Sequence, residues 1–256
     1  ALVERGFEAY PYGYSPTHTA AELHAMHPRP APGERYGDER VVVAGRVMLL
    51  RMLGKLTFGS ASSLLWRPQS YFAADPWRGK WATEGGGVMM NQAVHTIDLL
   101  QWFMGPAAEV YGRIATLRHG AYIDVEDTVA ATVVFESGAL GSIQALTTID
   151  PEFGYRVAIH GDNGATASIH EIPEGTQGIN DVWTFEPGAS ERAAWADAER
   201  GRPGFPEFHG LQIAEFLDAI RHGRPPAVTG RDARNSLAII LGIYKSSRTG
   251  KPVRLN

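Results

Sequence analysis

The chain has 256 residues, 44% of them apolar and 10% aromatic, enough to bury a sizeable core in one large domain or two small ones. A formal charge of −4 gives no general attraction to nucleic acid or anionic membranes, and the lack of cysteine excludes disulfides, thiolate metal sites and cysteine nucleophiles. No stretch reaches the about 18 apolar residues of a membrane span, and the N-terminus lacks a signal-peptide core; a cytoplasmic protein with no membrane partner is expected.

The first 53 residues read as an arm. "PYGYSPTHTAAELHAMHPRPAPGERYGDER" is rich in proline, glycine and polar residues and predicts one short helix, Thr19 to Met26. Thr19 is its N-cap and Glu22 stands three residues on, while His24 and His27 read as surface residues. "RVVVAGRVMLLRML" predicts a strand or strand pair broken by Gly45. The chain divides near Gly54, into residues 1–53 and 54–256.

Beyond Gly54 the pattern is that of a mixed domain. "LTFGSASSLLW" predicts a strand, "RPQSYFAADPWRGKWATE" an aromatic loop, and Val88 to Met104 a helix stopped by Gly105 and Pro106. "AEVYGRIATL" and "DTVAATVVFESGALGSIQALTTI" supply strands, with Ser137-Gly138 as a hairpin turn. A second hairpin turns at Asn163-Gly164, and residues 173–206 read as loop with a short helix near Ala193 to Glu199. Two amphipathic helices close the chain. One repeats Ile213, Phe216, Leu217 and Ile220 at helical spacing and ends at Gly223; the other starts at the N-cap Thr229 and buries Leu237, Ile240, Leu241 and Tyr244.

Hairpins followed by helices predict an α+β fold, a two-layer domain with a largely antiparallel open sheet and helices on one face. "TVAATVV" carries small or apolar residues on both alternating faces, so the second sheet face is expected to be covered by another copy of the chain.

"EGGGVMMNQAVHTIDLL" holds the candidate chemistry. At about 100° per residue, Asn91, His95, Asp98 and Trp102 form one polar stripe on an otherwise apolar helix. Imidazole suits proton transfer near neutral pH, the amide could orient a hydroxyl, and Asp98 could fix the ring's tautomer. The glycines ahead of the helix admit a close backbone or ligand, and their N–H groups favour an anion. The same pattern also describes a satisfied polar pair in a core. It is a poor metal site, since asparagine is a weak ligand and no further histidine lies near. "WRGKW" adds indole faces and two cations, so Trp77, Arg78 and Lys80, with Tyr71 from the same loop, are candidates for sugar binding, unless the loop merely plugs the sheet end.

The segment from Leu64 to Gly105, followed by "VEDTVAATVVFESGALGSI", "VAIHGDNGA" and the closing run from Gly210 to Leu255, resembles the C-terminal domain of the Gfo/Idh/MocA sugar oxidoreductases. The likeness covers about Gly54 to Leu255. It implies an open sheet serving sugar binding and oligomer formation. It also implies that His95 removes or returns a hydroxyl proton. Many members carry aspartate where this chain has Asn91, which removes a possible base. Complete members use NAD or NADP through a Rossmann domain with a G-x-G-x-x-G turn and a Glu-Lys-Pro segment. Neither motif occurs here; the glycines of "VVVAGRVMLLRMLG" stand nine residues apart. No Rossmann domain and no cofactor are therefore expected of this chain alone. Residues from about Leu2 to Phe58 resemble instead the N-terminus of bacterial lysyl-tRNA synthetases, a lead-in helix and the opening strands of an OB-like barrel, which points to a fusion.

Three functions compete. The first is a sugar-oxidoreductase substrate domain that is redox-inactive by itself. The second is a non-redox keto-sugar epimerase, lyase or aldolase with His95 as base and Arg78 or Lys80 holding the enolate. The third is a non-enzymatic RNA-binding fusion; there Arg29, Arg35, Arg40, Arg46 and Arg51 are offset by Glu34, Asp38 and Glu39, so nucleic acid is not an expected partner.

Overall fold

A computed structural model describes residues 53–172, 179–184 and 207–255. The expected helices at Thr19–Met26 and Ala193–Glu199, and the strand of residues 40–52, lie outside the described residues.

The described part is α+β. β1 (Leu56–Leu64) leads through the short helices α1 (Gln69–Ala73), α2 (Trp81–Glu84) and α3 (Val88–Asn91) into α4 (Val94–Met104). Strands β2 (Ala107–Ala115), β3 (Thr128–Phe135), β4 (Leu140–Leu146), β5 (Gly154–Gly161), β6 (Thr166–Glu171) and β7 (Ile179–Trp183) follow. Helices α5 (Glu207–Arg221) and α6 (Gly230–Thr249) and the two-residue β8 (Val253–Arg254) complete it.

The eight strands form one open sheet in the order β7-β6-β5-β1-β4-β3-β2-β8. Every pairing is antiparallel except β1 with β4, which runs parallel at the centre. Both expected hairpins form, β3–β4 around Gly138 and β5–β6 around Gly164, each glycine at positive φ. β7 lies within the stretch read as loop; its five residues carry too few alternating apolar positions to declare a strand.

α4 and α6 lie on one face of the sheet. Small residues on β1 admit α4: a Cβ at Gly59 would fall 2.7 Å from a Leu100 methyl and 2.8 Å from Met104, and Ser63 shares a 2.9 Å hydrogen bond with Thr96. Ile97, Leu100, Ile239, Ile240, Ile243, Val133 and Ile143 are almost fully withdrawn from water between helices and sheet. Burial of each such side chain contributes about 1.5–3 kcal/mol.

α6 begins with a capping box. Thr229 accepts from the Asp232 N–H, and the Asp232 carboxylate accepts from the Thr229 N–H at 2.8 Å. Its buried stripe is rotated from the expected one: Ile240 and Tyr244 are buried as expected, but Ile239 and Ile243 join them while Leu237 and Leu241 are exposed. On α5 the predicted stripe is present, and Ile213, Phe216, Leu217 and Ile220 all face water. Periodicity defines an apolar face without defining what covers it.

Candidate functional site

The expected single helix from Val88 to Met104 is two helices. Ala93 donates its N–H to the Val88 carbonyl at 2.8 Å, five residues back, before the normal pattern resumes with Ile97 donating to Ala93. The extra residue is a π-type turn, and it sits beside the cavity wall.

The glycines ahead of α3 do not wait for a ligand. A Cβ at Gly87 would run into the Glu126 backbone carbonyl, so the close approach is internal. The Glu126 carboxylate accepts from the Gly87 N–H at 2.8 Å, the Met89 N–H at 3.1 Å and the Tyr244 hydroxyl at 2.9 Å. Burial pushes the Glu126 carboxyl up, partly offset by the Met89 and Gly87 N–H groups and the Tyr244 hydroxyl. Tyr244 is pushed up too, first by burial and then by the Glu126 charge. The anion expected at this helix start is a side chain of the protein.

Downstream of that turn lies a cavity of about 560 Å³. Asn91 and His95 line it from α3 and α4, Tyr71 from α1, Arg67 from the bend after β1, and Tyr155 from β5. Tyr155 pairs with Ser63 on the sheet face that carries α4, which brings its ring to this wall. Trp66, Gln92 and Ser70 complete the polar and aromatic lining with Pro68.

The hydrogen bonds set what each group can offer. Asn91 Nδ2 donates to Glu84 at 2.7 Å, so its Oδ1 is the atom left to accept from a ligand hydroxyl. Gln92 Nε2 donates to the Tyr71 oxygen at 2.9 Å, which leaves the Tyr71 O–H free to donate. His95 is exposed, and among the described residues no side chain hydrogen-bonds its ring.

Asp98 does not orient His95. It accepts a hydrogen bond from the Ser236 hydroxyl on α6, because i+3 places it about 60° round the helix, toward its packing partner. Trp77, Arg78 and Lys80 are not among the lining residues. Arg78 pairs with Asp75 at 3.0 Å and lies 4.0 Å over the Tyr71 ring, so it braces the back of that wall. Lys80 and Trp77 are exposed. The cation and the indole that do face the cavity are Arg67 and Trp66, from the stretch read as the end of a strand and the start of a loop. Arg67 is buried, donates to the Trp66 carbonyl at 2.9 Å and lies 5.2 Å over the Tyr71 ring.

Among the described residues no group of three or more histidines and carboxylates could hold a metal ion, and no helix is long and apolar enough to cross a membrane.

An open mixed sheet thus carries a histidine-bearing helix after a glycine turn, beside a polar and aromatic cavity. The chain belongs to the Gfo/Idh/MocA family: residues 50–255 match the oxidoreductase family, C-terminal alpha/beta domain. It is 30% identical over 187 residues to the 1,5-anhydro-D-fructose reductase of Ensifer adhaerens, covering 70% of this chain and 50% of that protein. The WlbA dehydrogenase of Bordetella pertussis, solved with NADH and UDP-GlcNAcA, superposes with a TM-score of 0.67 at 30% identity, over 80% of this chain and 57% of that one. The N-terminal stretch is similar to the lysine–tRNA ligase of Deinococcus radiodurans, 36% identical over 94 residues, 33% of this chain and 18% of the ligase. The chain thus spans about half the length of the oxidoreductase relatives it matches.

Proposed function

We propose that this chain supplies the substrate-binding half of an NAD(P)-dependent sugar oxidoreductase, in which His95 takes or returns the proton of a substrate hydroxyl. One observation carries the reading: His95, whose ring has no hydrogen-bond partner among the described residues, lines a cavity whose other polar groups are hydroxyls, amides, an indole and one guanidinium. Tyr71 donates to a sugar oxygen, the Asn91 oxygen accepts from a sugar hydroxyl, and the Trp66 indole offers an apolar face to the ring's C–H surface. The imidazole then receives the proton of the hydroxyl whose carbon is to be oxidised.

The described residues do not fit a dinucleotide. At the glycine turn the Gly85 N–H is committed to the Trp81 carbonyl and those of Gly87, Val88 and Met89 to Glu126, and the sequence holds no G-x-G-x-x-G motif. This supports the reading that the hydride acceptor is held outside the described residues.

Two titrations test this. Calorimetry with NADH and NADPH should give no binding; a micromolar dissociation constant for this chain alone overturns the redox-inactive reading. In labelled protein, the His95 ring signals, assigned by their loss in His95→Gln, should move on addition of a sugar that binds. If sugars bind and those signals stay still, His95 has no part in the site.

A further inference from the structure

We propose that Glu84 is a positioning residue of this site: by gripping the Asn91 amide it keeps the amide oxygen as the atom offered to the ligand and strengthens it as an acceptor. The inference rests on the sugar-site reading above and adds to it a residue that acts through another.

The contact has a fixed polarity. Asn91 Nδ2 donates to one Glu84 carboxylate oxygen at 2.7 Å, and an ionised carboxylate only accepts, so the amide cannot turn over without setting oxygen against oxygen. Oδ1 therefore remains the atom that Asn91, a lining residue, has left for a ligand, while Glu84 is not among the lining residues. A ligand hydroxyl that donates to Oδ1 completes a chain from hydroxyl to amide to carboxylate. The Glu84 charge polarises the amide along that chain and makes its oxygen the better acceptor. The group selected is a hydroxyl, since a carbonyl or an ether oxygen has no proton to give.

Glu84 is itself held in place. It ends α2, ahead of Gly85 in the left-handed conformation, and its other oxygen accepts from the Gly79 N–H. Gly79 stands at φ +72°, where a Cβ would lie 2.6 Å from Ile123, and its carbonyl accepts from the Asp124 N–H at 2.9 Å. The "WRGKW" loop thus serves the cavity from outside, by fixing the carboxylate that fixes Asn91. An aspartate at 91 would set two carboxylates against each other at this distance, so the acid at 84 and the amide at 91 are a matched pair.

A double-mutant cycle read on sugar affinity tests this. D-Glucose, D-glucuronate and myo-inositol are titrated against the His95 ring signals, and the tightest binder is carried forward. Glu84→Gln should weaken it about three- to ten-fold in the parent chain but less than about two-fold in Asn91→Ala, where no amide is left to orient. A role confined to bracing the Gly79 loop would cost the same in both backgrounds. That result overturns the inference, as does a Glu84→Gln chain that binds like the parent. If Glu84→Gln does not fold, the side-chain amide signals of Asn91, assigned by their loss in Asn91→Ala, decide in the parent chain. They should move together with the His95 ring signals as sugar is added; amide signals that stay still while the ring signals move overturn the inference. Each of these failures leaves the sugar site standing. If none of the three compounds moves the His95 signals, the sugar-site reading falls and takes this one with it.

Discussion

Glu126 and Asp127 are adjacent, buried and bonded to backbone N–H groups, yet their carboxyls move in opposite directions. At Glu126 removal from water dominates. Asp127 is desolvated as well, but the N–H groups of Leu117, His119 and Arg118 and the Thr128 hydroxyl outweigh that and hold its pKa down. Folding therefore lowers the proton affinity of Asp127. Its contribution is present above the unfolded pKa of about 3.9 and is lost as pH falls through the lower folded value. For Glu126 the sign reverses: its contribution is full below about 4.3 and is lost as pH rises through the raised folded value. Urea unfolding of Asp127→Asn should show a loss of roughly 1–3 kcal/mol at pH 7 that shrinks by pH 3. An equal loss at both pH values would mean that the ionised carboxylate is not what holds the Leu117–His119 turn. Neither role was legible in the sequence, because Glu126 caps groups 37 and 39 residues upstream. Asn91, His95 and Tyr71 were legible, since helical spacing and an aromatic loop mark them locally. Arg67 and Tyr155 come from a bend and a strand far apart in the chain, and no short pattern announces such a pair.

Among the elements, periodicity predicted α4, α5, α6 and most strands, because each repeats apolar residues on one face, which in α4, α6 and the strands packs on the core and in α5 does not. The turn at Ala93 escaped because one extra residue breaks the helical repeat without any glycine or proline to mark it. The cap of α6 was visible because its signal is local: Thr229 and Asp232 satisfy each other three residues apart. Thr229→Ala should lower stability by about 1 kcal/mol, readable as a shifted urea midpoint with an unchanged slope. A changed slope would point to altered compactness in place of a lost cap. The parallel β1–β4 pair could not be read from the strands themselves, since pairing order depends on contacts across 80 residues (Phe58 with Leu140, for example).

At the scale of the molecule, the sheet presents a second face that no described helix covers. Phe58, Tyr111 and Leu140 are exposed there, beside Ser60, Thr132 and Ser142, on the side opposite Gly59 and Ala61. Assembly of copies of the chain through this face is the proposal that fits it. Light scattering should give a multiple of the chain mass, and Tyr111→Glu with Leu140→Glu should reduce it to one chain; a monomeric parent protein rules the proposal out. β1 is entered through a clamp. It lies mid-sheet, and the residues leading into it are clamped: Leu53 is fully buried, the Lys55 N–H donates to Asp162 at 3.0 Å, and the Asp162 N–H donates to the Lys55 carbonyl at 2.9 Å. The leash is tied off at Leu53. The strand at the centre of the sheet is thus moored at its own threshold by the β5–β6 turn, so a pull on residue 53 is met there before it can reach the ladder of β1.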